Sequence, residues 1–198
     1  MMIHVKAQFI RPVLGTASNN PTIFSDHIAS KAPDAKTQEE EIAMLGAGEY
    51  TDRQMTVFLR NEDGDPVIKD YHIKGFFKDA CSMLKRVPGT LSEKVKAYKK
   101  IIDGTIFVYP DYIPIKYDGD MDFNERPLRA QTAQGERICL ACSEQIPEDA
   151  TFEFDVECMN PKDKDVVIEW LNYGEKRGLM QWRNAGYGRF VYTYTEDE

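Results

Sequence analysis

An α+β fold of the ferredoxin-like, split βαβ type is predicted by three features of the sequence. These are an alternating strand at the start, apolar stripes at helical spacing separated by further strands, and an alternating strand at the end. Reduced to its long elements, the order is strand, helices, strand, strands, helix, strand. It predicts an antiparallel sheet with helices on one face. A polar, partly helical insertion over residues 15–52 is set into a single domain spanning residues 1–198.

Ile3, Val5, Ala7 and Phe9 alternate with His4, Lys6 and Gln8, the period of a strand with one buried face. From Gly15 the text turns polar, with a short helical stretch near Ile23–Ser30 and a Glu-rich run around Glu39–Glu41. Met55–Arg60 and Val67–Tyr71 flank the Asp63-Gly64 pair, which predicts a hairpin. Ile73, Phe76, Phe77, Ala80 and Leu84 then form one helical stripe, ended by Pro88-Gly89. Thr90 or Ser92 can cap a second helix, striped by Leu91, Val95, Tyr98 and Ile102 and stopped by Gly104. Ile106–Tyr109 reads as a buried strand and Asp111–Asn124 as a Pro- and Asp-rich connection. Arg137–Ser143 and Thr151–Val156 read as two antiparallel strands joined through Glu144–Ala150. Val167, Trp170, Leu171 and Gly174 mark a last helix, and Phe190, Tyr192 and Tyr194 a closing strand.

The net charge of −8 argues against a simple nucleic-acid coat, which needs an excess of Lys and Arg. The charge is unevenly spread. Nine acids stand against three bases over Asp34–Asp65, and eight against two over Glu144–Asp165. Conversely, Lys69–Lys100 holds nine bases against three acids, and Gly174–Phe190 holds Lys176, Arg177, Arg183 and Arg189 against Glu175. A bipolar molecule of this kind can meet a basic protein groove on one side and an anion on the other. No stretch approaches the roughly 20 apolar residues of a membrane span, and no signal peptide is read at Met1–Val5. With four sparse cysteines, the expectation is a cytoplasmic protein with reduced thiols.

Cys139 and Cys142 have C-x-x-C spacing, but alternation sends them to opposite faces of a strand and no further ligands complete a zinc site, so core cysteines are expected. No metal, cofactor or catalytic residue is assigned. His72 and the Asp118–Asp122 run are the residues on which a metal-dependent nuclease would be centred, and a capping or solvated histidine and a solvated acidic loop are the readings preferred for them. Gly75 is read as opening a helix after a strand, where backbone N–H groups with Lys74 and Lys78 suit an anion. Close helix–sheet packing would explain that glycine nearly as well. The strongest cluster is the segment Gly174–Phe190, with Gly174, Gly178, Gly186 and Gly188 interleaved with Arg177, Trp182, Arg183, Tyr187 and Arg189. Glycines allow close backbone approach, while arginines grip phosphates and aromatic rings stack on bases. The competing reading is a tight helix-to-strand turn that plugs Trp182 and Phe190 into the core.

Ile73–Ala80 (IKGFFKDA) after a strand, together with Gly178–Phe190 (GLMQWRNAGYGRF) before the last strand, resembles the RAMP superfamily of CRISPR-associated proteins. The resemblance implies a ferredoxin-like fold and a glycine-rich loop near the end of the domain that holds RNA. Arg126–Gly135 (RPLRAQTAQG) and Gln181–Asn184 (QWRN) make the chain similar to a group of proteins from phages and prophages of Gram-positive bacteria. Together they imply a non-enzymatic phage protein acting in the bacterial cytoplasm on a CRISPR effector ribonucleoprotein, as an anti-CRISPR inhibitor. Lys74, Lys78, Arg126, Arg129, Arg177, Trp182, Arg183, Tyr187 and Arg189 would make the contacts, and the acidic faces would mimic nucleic acid. The alternative is a module that binds single-stranded RNA or DNA in phage replication. The acidic balance and the lack of a convincing catalytic histidine weigh against RNA coating and RNA cleavage.

Overall fold

The computed structural model describes residues 1–19, 55–132 and 135–197, and gives side chains for all of these except residues 128–139. The helical stretch near Ile23–Ser30 and the Glu-rich run lie outside the described residues. Two compact units are formed, one from Met1–Val13, Leu59–Asp120 and Ile146–Glu198, the other from described parts of Leu14–Phe58 and Met121–Gln145.

The first unit carries the predicted α+β fold. Its framework is β1 (Met2–Phe9), helix α1 (Asp70–Leu84), β7 (Ile106–Tyr109), β11 (Thr151–Cys158), helix α3 (Lys164–Arg177) and β12 (Phe190–Asp197). The strands lie in the order β12-β1-β11-β7, all antiparallel, which is the split βαβ arrangement. β8 (Tyr112–Lys116) also pairs with β11, and β6 (Pro66–Lys69) and β5 (Leu59–Arg60) continue outward from it.

Alternation decides what is buried. Ile3, Val5, Ala7 and Phe9 of β1 and Phe152, Phe154, Val156 and Cys158 of β11 are enclosed. They meet Ile73, Phe76, Phe77 and Ala80 of α1 and Val167, Trp170, Leu171 and Gly174 of α3. Phe190 completes the layer, its ring 5.4 Å from Phe76 and 5.9 Å from Phe152. Cys81, Cys142 and Cys158 are buried free thiols.

Three expectations are corrected. The second helix is broken: a 3-10 turn at Ser92–Lys94 is followed by Ala97 with φ of 51° and a short α2 (Tyr98–Thr105). A side-chain network pins the first turn. The Glu169 carboxylate accepts from the Leu91 N–H at 2.6 Å, the Ser92 N–H at 2.9 Å and the Ser92 hydroxyl at 2.5 Å, while Trp170 Nε1–H donates to Ser92 Oγ at 2.9 Å. These bonds cap the free N–H groups that begin the 3-10 turn, and the helix fails to continue where Val95 turns extended, with ψ of 109°, and Ala97 left-handed. The supposed connection Asp111–Asn124 contains β8 and the start of β9 (Asp122–Thr132). Finally, β10 (Gly135–Ile146) pairs with β9 rather than β11, in a ladder from Asp122↔Gln145 to Thr132↔Gly135.

The second unit is built on that β9–β10 hairpin. β4 (Thr56–Val57) lies parallel to β10 and antiparallel to β3 (Ala17–Ser18), and β2 (Val13–Leu14), which begins in the first unit, borders β10. Gly15 is required here, because a Cβ would stand 2.4 Å from the Val57 carbonyl carbon.

Two glycines make opposite predictions. A Cβ on Gly174 would lie 2.2 Å from the Phe190 ring, whereas one on Gly75 would meet nothing within 4 Å. Urea unfolding should therefore find Gly174→Ala destabilised by at least about 1–3 kcal/mol through overpacking. Gly75→Ala should gain about 0.5–1 kcal/mol from helix propensity.

Candidate nucleic-acid interface

Helix α3 ends at Gly178, whose φ of 79° and whose missing side chain are both used. A Cβ there would sit 2.4 Å from the Tyr187 carbonyl oxygen, and one on Gly188 would sit 2.1 Å from that of Leu179. Those close approaches let the Leu179 N–H donate to the Gly188 carbonyl at 2.8 Å and the Gly188 N–H to the Pro12 carbonyl at 2.8 Å. The loop between is thereby pinched at its base. Its plug is Leu179, 1% exposed, together with Phe190.

Trp182 is not the plug that a purely structural turn would make it. It lies 38% exposed with φ of 56°, and its ring stacks on Tyr187 at 5.0 Å and 19°. A non-glycine residue in the left-handed region is held there by its surroundings. The short 3-10 turn Arg183–Ala185 supplies that hold, with the Ala185 N–H donating to the Trp182 carbonyl at 3.0 Å.

The arginines are positioned by one carboxylate. Asp79 on α1 accepts from Arg177 Nε at 2.8 Å and from Arg183 Nη1 at 3.0 Å, and Arg177 Nη1 also donates to Asn184 Oδ1 at 2.6 Å. The Asp79 carboxylate raises the Arg177 pKa above its usual value. Two guanidinium groups on one carboxylate leave a surplus positive charge beside the aromatic pair. Arg189 adds a third, with its guanidinium against Gly186 and its Nε enclosed without a hydrogen-bond partner among the described residues. Arg177, Trp182, Arg183, Tyr187 and Arg189 thus converge, and Asp79 is the member that sequence reading missed. Only its place on α1, one residue after Lys78, brought it near notice.

The other candidates are elsewhere. Lys78 pairs with Asp103 of α2 at 2.5 Å and Lys74 stands 5.0 Å over the Phe107 ring of β7, so both lie along a different side of α1. Gly75 does not open that helix, which begins at Asp70, so the free N–H groups expected at Phe76–Lys78 are spent within the helix. Since a Cβ at Gly75 has open space, close packing does not explain it either. Arg126, on β9, is 6% exposed, and its Nη1 donates to Asn124 at 3.0 Å and Ser143 at 3.2 Å. It is an interior strut of the second unit rather than a surface contact. Arg129 lies on β9 opposite Ile138.

His72 sits in the first turn of α1, where its Nδ1 accepts from the Lys69 N–H at 3.2 Å. Burial pushes its pKa down to about 4. Asp118 and Asp120 lie in the exposed link between β8 and β9, which Asp122 begins. Among the described residues no group of three or more His, Cys, Asp or Glu side chains is placed to hold a metal ion, and no helix is long and apolar enough to cross a membrane.

The chain is therefore an α+β protein with a ferredoxin-like core and an arginine–aromatic loop before its last strand. Among solved structures it is similar to a chain of a type III-B Cmr-beta complex bound to cognate target RNA, with 12% identity and a TM-score of 0.53 over 98% of this chain. That likeness is one of fold, and the chain spans 60% of the length of the type III-B chain. A chain of a type IV-B CRISPR complex aligns at 11% identity over 98% of this chain and 90% of that one, with a TM-score of 0.49, too low to add to the argument. No family model and no curated protein matches the sequence.

Two measurements check this geometry. Asp79→Asn should cost about 1–3 kcal/mol in urea unfolding, because two charge-assisted hydrogen bonds lose their acceptor charge. For His72, an unfolded value near 6.5 and a folded value near 4 mean that the unfolded chain binds the extra proton between them. The stability this residue contributes is full above pH 6.5 and falls as the pH drops toward 4. His72→Gln should flatten that part of the stability–pH curve.

Proposed function

We propose that this chain is a non-enzymatic, phage-encoded protein that docks on a CRISPR effector ribonucleoprotein in the bacterial cytoplasm and inhibits it. The Arg177–Arg189 loop lies against guide RNA in this reading. The observation that carries it is the exposed Trp182 ring stacked on a half-buried Tyr187, flanked by Arg183 and Arg189 on a ferredoxin-like fold shared with a type III-B chain. Aromatic faces accept an unstacked base and arginines its phosphates. A fold shared with a chain of a type III-B complex suits a position beside such chains. The net charge of −8 favours docking on an assembly, with basic protein to meet, over coating bare RNA.

A second reading, a single-strand-binding module used in phage replication, is favoured by the same aromatic pair taken alone. The two separate on substrate. Binding to a bare oligonucleotide that weakens steeply with salt, and with Arg183→Ala plus Arg189→Ala, belongs to the second.

The expected outcome for the first is co-purification with a guide-loaded effector and loss of interference in cells expressing the protein. Trp182→Ala with Tyr187→Ala should weaken that association by about tenfold or more, the scale of one lost base stack. Clean separation from every effector tried, with interference intact, would contradict it.

A further inference from the structure

The large sheet ends differently on its two sides. On one it finishes in short strands, β7 of four residues and β5 of two; on the other stands β12, of eight. The direction of the hydrogen bonds along β1 is fixed by its ends. The Phe9 N–H donates to the Ala150 carbonyl and the Cys158 N–H to that of Met1, so odd-numbered residues of β1 bond toward β11. The Ile10 N–H donates to the Arg189 carbonyl, so even-numbered residues bond toward β12.

With the register His4↔Thr195, Lys6↔Thr193 and Gln8↔Val191, the bonded residues of β12 are the odd-numbered ones. The N–H and C=O groups of Tyr192 and Tyr194 therefore point away from the sheet, and no backbone group among the described residues pairs with them. From Val191 to Thr195 the strand holds no charge, proline or glycine, and Val191 and Tyr194 are exposed. Natural sheets ordinarily guard such an edge with Lys, Pro, a bulge or a covering element.

The chemistry around the edge selects its occupant. Asp197 ends β12 on the open face, where Glu153, Asp155 and Glu157 line β11 two strands further in, whereas Glu196 is already paired with Lys164 of α3 at 2.5 Å. The cations on this face are already engaged, Lys6 with Glu153 at 3.4 Å and His4 between Asp155 at 2.7 Å and Asp197 at 2.8 Å. At about 5 Å between strands, Asp197 reaches a side chain on an added strand, and the β11 acids set the sign of the field it enters. A second copy would bring the same acids, and a nucleic acid has no peptide ladder and the wrong charge.

We propose that the free edge of β12 takes up an extended, lysine- or arginine-bearing segment of a partner protein as an added β-strand. This is independent of what the Arg177–Arg189 loop binds.

The test uses the full chain with a short synthetic peptide alternating lysine and valine, its glutamate counterpart, and a version N-methylated at alternate amides. Hydrogen exchange should slow at Tyr192 and Tyr194 on adding the lysine peptide, and affinity should fall about tenfold or more for each control peptide. Tyr194→Pro removes the outward N–H, together with the ring stacked on Tyr192 at 6.1 Å, and should weaken binding similarly; if that variant does not fold, the N-methylated peptide tests the ladder alone. Arg183→Ala with Arg189→Ala should leave the peptide result unchanged, which separates it from the loop's role. The proposal is overturned by any of four outcomes. These are no protection at millimolar peptide, equal binding of either control peptide, protection of both amides by self-association in the absence of peptide, or protection by a single-stranded oligonucleotide.

Discussion

The Phe190 ring occupies the space that a side chain on Gly174 would need, and this contact governs how α3 meets the sheet. It brings the helix close enough for Trp170 and Leu171 to be sealed, and it sets Phe190 against Phe76 and Phe152. The chain must then return from the end of α3 to the start of β12 over a short distance. Gly178 and Gly188 make that return possible by letting two backbones touch where any Cβ would collide. A loop closed at its base in this way presents its tip residues in a fixed arrangement, which is what a binding loop needs if it is not to lose affinity in ordering itself.

Electrostatics divides the labour over the first unit. Asp79 orients Arg177 and Arg183 without neutralising both, so the loop keeps positive charge beside stacked rings. The open face of the sheet carries Glu153, Asp155 and Glu157 with their cations already paired. One polypeptide thus carries a positively charged, ring-bearing loop and an acidic sheet face.

Much of the first unit was legible in the sequence because its signals are periodic. Alternation at Ile3–Phe9 and the i, i+3, i+4 stripe at Ile73–Leu84 each follow from one buried face, and the helices and strands of the split βαβ framework stand where those periods put them. The break at Ser92–Ala97 was not legible, since nothing in the apolar stripe marks Val95 for extended or Ala97 for left-handed backbone, and the Glu169 that caps the turn lies about 77 positions away. The β9–β10 hairpin was missed because Asn124–Pro127 is polar or proline and only Leu128 and Ala130 alternate as apolar positions, too few to announce a face. In the candidate site the cluster from Arg177 to Arg189 was visible as composition. Its organising carboxylate was not, because Asp79 lies on a different helix. Arg126 had the right chemistry for a phosphate contact, but sequence gives no sign that Asn124 and Ser143 would enclose it.

In the proposed function the Trp182–Tyr187 face contacts nucleic acid within an effector. Ultraviolet cross-linking of the protein to a guide-loaded effector, followed by mass spectrometry of RNA–peptide adducts, addresses it most directly. The expected result is adducts on Trp182 or Tyr187 that disappear when the guide is absent. A complex that forms with no adduct in residues 177–189, or with adducts confined to the second unit, would contradict it.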